Sequence, residues 1–474
     1  MASISLSNCV LLHADGFHGS SLQRNATTAM AFTSRGTSIE ASLSCPERPL
    51  LPTILFVECS SVDDFTTEPP RIVRAVEDII VFSVLIGPRL RPDVSPCDYD
   101  YFIYRVGEVP SLQLLPPPHP TFQDEDAGLL LCGEDDFIVA ALIATNKSGV
   151  YDLHRFDSRS WTWSQEVVPL VAPQAAFPFR ITLNSIRLGY HLTSTVITIG
   201  GEGGTMGWVD LWRGILICDV LHRKPELRGV PLPVPMELLT CNNGRGADIG
   251  GCGKSLRGIA VINQSLRFVH LEAIVSTTSK TLPAADSDSD DEEPDSLMSD
   301  WVITTWSNSK MSTSWDDWIK DCEAKASHTT IHSKPKSKML NSGLLSPEGA
   351  NQERALQNLW VSHPAPGIDD GVVYLLARVR FQDPKAFVIA LDARKNVLLG
   401  SAEFATEKKR GDGVMYFPSN ISKYIAPEAR VLPITTVPLL IPLLAVLQLS
   451  FSLLGAAVQC SLCLLLHAVQ VIVH

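Results

Sequence analysis

The sequence predicts an all-β fold of the β-propeller-like type, with a β-sandwich or a mixed α+β fold as the alternative. Three observations carry that expectation. Short runs rich in Val, Ile and aromatic residues recur along the chain, separated by turn signals at short intervals. Thr195–Leu221 (TVITIGGEGGTMGWVDLWRGILICDVL) places Gly200, Gly201, Glu202, Gly203 and Gly204 between two apolar runs, the pattern of a blade-like hairpin. In Tyr151–Gln165 a two-sided strand, YDLHRF, meets the polar turn Asp157–Ser160 and a return strand led by Trp161 and Trp163, as in outer hairpins of kelch-type blades.

The chain of 474 residues suffices for one large or two ordinary domains, and 45% hydrophobic with 19% charged residues is a globular composition. A net charge of -12 argues against a nucleic-acid partner, which a basic face would recognise. The 11 cysteines are scattered rather than closely and evenly spaced, so they read as reduced thiols.

Taken in order, Met1–Ile39 has a Ser-, Thr- and Ala-rich composition that fits a transit peptide, but the alternation over Ala26–Leu43 around Arg35-Gly36 favours a folded hairpin. LLPTILFVECSSV (50–62) is a strand-sized run. Ile72–Leu85 is one Val- and Ile-rich stretch, and DYDYFIYRV, GLLLCG and DFIVAALIA follow as strands. Leu256–Leu271 gives two more strands about a polar turn. The β-rich domain is therefore expected to occupy 1–275 and 300–425.

Two inserts interrupt it. Residues 276–299 hold the acidic core DSDSDDEEPDS, which cannot bury enough apolar area to offset the entropy of ordering it. Ser287 and Ser289 lie among those carboxylates and are candidate phosphorylation sites. The second insert, 325–352, is rich in Ser, Lys and His. After the domain, 431–474 forms an apolar tail, and Val431–Val473 contains no Asp, Glu, Lys or Arg. A single membrane-spanning helix is expected at about Pro442–Leu462, with the domain on the cytosolic side because Lys408, Lys409, Arg410, Lys423 and Arg430 precede the span. A tail that arises from a misread gene would instead leave a soluble cytoplasmic or nuclear protein.

Six stretches stand out: RNATTAMAFTSRG (24–36), DYFIYRVGEVPSLQLLPPP (100–118), YDLHRFDSRSWTW (151–163), GGEGGTMGWVDLWRGILICDVL (200–221), IAVINQSLRFVHLE (259–272) and WVITTWS (301–307). In these the chain resembles a plant family abundant in grasses, the domain of unknown function 1618. The resemblance implies an F-box-protein-like, propeller-related domain and brings no catalytic residues. The apolar tail departs from the family's usual ending.

Motif by motif, chemistry is absent from the spacing. Gly253-Lys254-Ser255 lacks the first Gly of a phosphate loop, since Asp248 stands there, and reads as a turn. The Gly200–Gly204 turn precedes a strand, so no helix N-terminus is available to a pyrophosphate. Asp286, Asp288 and Asp290 lack the Gly and Glu of an EF-hand, with Asp291 and Leu297 in their places. His328 and His332 lack the Glu of a zinc-protease helix. Trp208, Asp210, Trp212 and Arg213 are expected to form a packed aromatic layer carrying a charge pair, and with Gly200, Gly201, Gly203 and Gly204 they are structural residues of the family signature. No catalytic, metal-binding or cofactor residue is assigned, and no small-molecule substrate is identified. The expectation is a non-enzymatic module for an unknown protein partner, with a ligand-sensing or enzymatic propeller as the alternative.

Overall fold

The computed structural model describes residues 10–18, 24–46, 50–60, 68–86, 99–118, 121–172, 191–233, 253–277, 296–346, 356–381, 383–405 and 415–425. The chain divides into two units, Met1–Val431 and Leu432–His474, and all the described sheets belong to the first.

That unit is mostly β. A second sheet of β6 (Arg71–Val76), β7 (Ile79–Leu85), β8 (Tyr99–Arg105) and β9 (Ser111–Leu114) shows the pattern, four antiparallel neighbours in chain order. The third follows it with β10 (Ala127–Leu131), β11 (Phe137–Ala144), β12 (Val150–Asp157) and β13 (Thr162–Ala172). A fourth is formed by β14 (Thr195–Gly200), β15 (Thr205–Asp210), β16 (Gly214–Asp219) and β17 (Leu227–Pro231). Parallel pairing of β13 with β17 joins these last two into one eight-stranded sheet. The fifth comprises β18 (Arg257–Ile262), β19 (Ser265–Thr277), β20 (Ser296–Asn308) and β21 (Ile319–Lys325). In the sixth, β23 (Trp360–Pro366), β24 (Val372–Arg378), β25 (Ala386–Asp392) and β26 (Val397–Ala405) pair in order, and β22 (Thr330–Ile331) adds to β26.

The first sheet closes the set. Its strands β1 (Val10–His13), β3 (Ala29–Phe32), β4 (Ser38–Ser44) and β5 (Pro52–Cys59) come from the N-terminal part, with β2 (Phe17–His18) against β5. Its innermost strand, β27 (Tyr416–Ser419), arrives from the other end of the domain and pairs antiparallel with β1, Val10 opposite Ser419. The inner strands β6, β10, β14, β18, β23 and β27 stand side by side in that order, and β27 meets β6 again. Six sheets thus form a closed, propeller-like ring.

The packing explains why whole strands here are apolar rather than alternating. Each sheet has a neighbour on both faces, so both faces need apolar side chains. In β7, Ile80, Phe82 and Val84 pack toward the first sheet, whereas Ile79 and Val81 pack toward the third. Six separate apolar layers result, one at each seam. Full burial of each Val, Ile, Leu or Phe contributes about 1.5–3 kcal/mol.

Several expectations meet this fold directly. The 26–43 hairpin is β3–β4, the GGEGG turn joins β14 to β15, and Asn263-Gln264 joins β18 to β19. Three need correction. Ile72–Leu85 is two strands, not one run, because Glu77 takes a left-handed φ of 51° and turns the chain without a glycine. Order after the acidic segment begins at Ser296 rather than at 300, since β20 pairs with β19 along its whole length. The insert expected at 325–352 contains helix α1 (Ser333–Ser342), which ends at Gly343 in the left-handed conformation and buries Met339 in the seam between the fifth and sixth sheets. The helix expected at Pro442–Leu462 lies outside the described residues. Among the described residues no helix is long and apolar enough to cross a membrane.

Candidate functional site

Because consecutive strands within the second to sixth sheets pair antiparallel, their connections alternate between two faces. One face carries the turns 77–78, 132–136, 158–161, 201–204, 263–264, 367–371 and 393–396, together with the longer connection 309–318. At the other, where the inner strands begin, the segments 87–98, 173–190, 234–252, 278–295 and 406–414 leave and rejoin the described sheets. Hairpins of two to five residues are ordinary, whereas connections this long more often carry function.

At that face Asp210 ends β15. Its Oδ2 accepts the main-chain N–H of Leu192 at 3.0 Å and its Oδ1 that of Trp212 at 2.9 Å, while Arg213 N–H donates to the Asp210 carbonyl at 3.0 Å. One carboxylate therefore stitches the approach to β14 onto the β15–β16 turn. Burial pushes its pKa up to about 6, against the opposing pull of those N–H groups and the Arg213 charge.

Across the seam, Arg257 begins β18. Its Nη1 donates to the Leu211 carbonyl at 2.7 Å and its guanidinium lies 4.5 Å above the Trp212 ring. Burial lowers its pKa to about 10. His270 sits opposite it on β19, and burial followed by the Arg257 charge lowers the imidazole to about 3, so the ring is neutral. His191 is also lowered to about 3, by burial and then by Arg213. Arg257 Nε, Trp212 Nε1 and both ring nitrogens of His270 are buried and make no hydrogen bond among the described residues. A buried polar atom left so costs about 1–3 kcal/mol.

A second polar group holds the second, third and fourth sheets together. Asp124 accepts from the Tyr101 hydroxyl at 2.9 Å and from Ser83 at 3.0 Å, and burial raises its pKa. Arg74 Nη2 donates to the Glu125 carbonyl at 2.7 Å. Asp126, pushed to about 6 by burial, offers its carbonyl to Trp208 Nε1 at 2.8 Å. Tyr99 donates to Glu68 at 2.9 Å, and burial first, then that carboxylate, raises the phenol to about 12.

The residues singled out from the sequence fall in three places. Gly200, Gly201, Gly203 and Gly204 are on the tight-turn face, with φ of 85°, 81° and 62° at Gly200, Gly201 and Gly204. Trp208 is fully buried between the third and fourth sheets. Asp210, Trp212 and Arg213 are at the opposite face, with Trp212 beneath Arg257 rather than beside Trp208. Ser287 and Ser289 lie outside the described residues. Gly253–Ser255 is a 3-10 turn just before β18. Among the described residues no group of His, Cys, Asp and Glu is placed to hold a metal. Arg257, His270, His191, Asp124 and Asp126 escaped the motif reading because they match no spacing rule. An Arg opening an otherwise apolar strand was the one available signal.

Residues 208–374 match the family described as "Protein of unknown function (DUF1618)". No curated protein matches the chain. Among solved structures, a sialidase from Trypanosoma rangeli aligns at 11% identity and a TM-score of 0.26, covering 78% of this chain and 50% of its own. This chain thus spans about half of that enzyme's length. An α-L-arabinanase from Penicillium chrysogenum, complexed with arabinobiose, aligns at 10% identity and a TM-score of 0.25, covering 88% of this chain and 99% of its own.

Proposed function

We propose that this chain, a member of the DUF1618 family over residues 208–374, is a non-enzymatic protein-interaction module of the kelch or F-box-associated kind. It holds a protein partner at the face where the long segments leave the ring. The observation that carries this reading is the distribution of connections: the ring presents most of its tight turns on one side and the segments 87–98, 173–190, 234–252 and 278–295 on the other. The buried carboxylates fit a supporting role, since Asp210 and Asp124 spend their oxygens on internal donors. Attachment to a membrane through Pro442–Leu462 is part of the proposal and rests on the uncharged sequence of the tail.

Affinity purification from native tissue, with detergent, tests the reading. A full-length chain whose 234–252 segment is replaced by a Gly-Ser linker of equal length is expected to lose its partner. Glu108→Lys with Glu134→Lys, both exposed on the tight-turn face, is expected to keep it. The reverse pattern overturns the assignment of the face.

A further inference from the structure

Among the described residues, polar atoms at the seam between the fourth and fifth sheets have hydrogens to donate and no acceptor to receive them. Trp212 Nε1 and Arg257 Nε can only donate, and both are buried and unpartnered. Neutral His270, opposite Arg257, adds one further N–H and leaves both ring nitrogens unpartnered. The nearby carboxylate does not answer them, because the Asp210 oxygens face the N–H groups of Leu192 and Trp212. Arg257 itself is held by a main-chain carbonyl and an indole face. Gly253 stands at the indole nitrogen: a Cβ there would lie 3.2 Å from Trp212 Nε1 and 2.9 Å from the Leu211 side chain.

We propose that this seam is a binding site for an oxyanion, a carboxylate or a phosphate group, received by Arg257 Nε–H and Trp212 Nε1–H with the His270 imidazole as a third donor. Guanidinium, indole and imidazole N–H groups are donors from which such anions accept, and an anion here would receive hydrogens that the Asp210 oxygens do not. The site lies at the segment-bearing face, where Trp212 is only partly buried. It does not depend on the interaction reading.

Calorimetric titration of the full-length protein in detergent with inorganic phosphate and with malonate, at constant ionic strength set by chloride, tests it. Saturable binding of at least one anion is expected, and which one binds separates phosphate from carboxylate. Trp212→Phe keeps an aromatic face and removes the N–H, and should weaken binding on the order of tenfold. Arg257→Lys removes the Nε–H and should weaken it further. Absence of saturable binding for both anions overturns the proposal, as does binding that Trp212→Phe leaves unaltered. Should Arg257→Lys fail to fold, the Trp212→Phe result decides alone.

Discussion

Trp208 donates its indole N–H to the carbonyl of Asp126 at 2.8 Å, tying the fourth sheet to the turn that opens the third. The ring is fully buried, so Trp208→Ala both empties a core site and strands that carbonyl. A loss of roughly 3–5 kcal/mol is expected from chemical denaturation. Trp208→Phe should cost less, and Trp212→Ala less than Trp208→Ala because Trp212 is only partly buried. Equal losses for the two tryptophans would contradict this placement.

Asp210 gives a pH signature. Its folded pKa of about 6 lies above the unfolded value of about 3.9, so its contribution is complete below about pH 4 and is lost as pH rises through 6. Asp210→Asn cannot ionise. The advantage of the native protein over this variant should be largest near pH 4 and shrink by roughly 3 kcal/mol by pH 7. Asp126 shifts in the same direction but is present in both proteins and cancels. A stability gap independent of pH would show that burial does not govern this carboxylate.

How far the sequence exposed this arrangement depends on what each turn is made of. The β14–β15 and β18–β19 hairpins were legible because Gly200–Gly204 and Asn263-Gln264 are turn formers between apolar runs. The β6–β7 turn was not, since Glu77-Asp78 is a brief polar pair inside a Val- and Ile-rich stretch. Helix α1 was hidden for a related reason: it packs Met339 and Leu340 inward, and most of its other residues are polar. Ring closure was beyond local pattern altogether, because β1 finds its partner in β27 at the far end of the domain. At the seam, Arg257 and His270 read as ordinary strand residues until the register set them opposite each other.

The composition of 281–299 predicts where protease enters. Limited proteolysis of the purified chain should cut first within 281–295, before β20 begins at Ser296, and an acid-directed kinase should modify Ser287 or Ser289. Initial cleavage elsewhere, with this stretch intact, would contradict the reading.

The apolar tail makes a fractionation prediction. Full-length protein is expected in the membrane fraction and to leave it with detergent, whereas a chain ending at Arg430 is expected in the supernatant. Protease added to intact vesicles should then reach the β domain. Recovery of the full-length chain in the supernatant would remove the anchor from the proposal.

Closure of the ring is the claim on which the two faces depend, and Val10 opposite Ser419 is where it can be tested in the full-length chain. Val10→Cys combined with Ser419→Cys places two thiols on paired strands that are remote in sequence. Mild oxidation followed by peptide mass mapping is predicted to find positions 10 and 419 joined, with a higher thermal midpoint than the reduced form, because the crosslink restricts the unfolded chain. A folded protein in which those two positions stay unlinked under the same oxidation would contradict the closed ring.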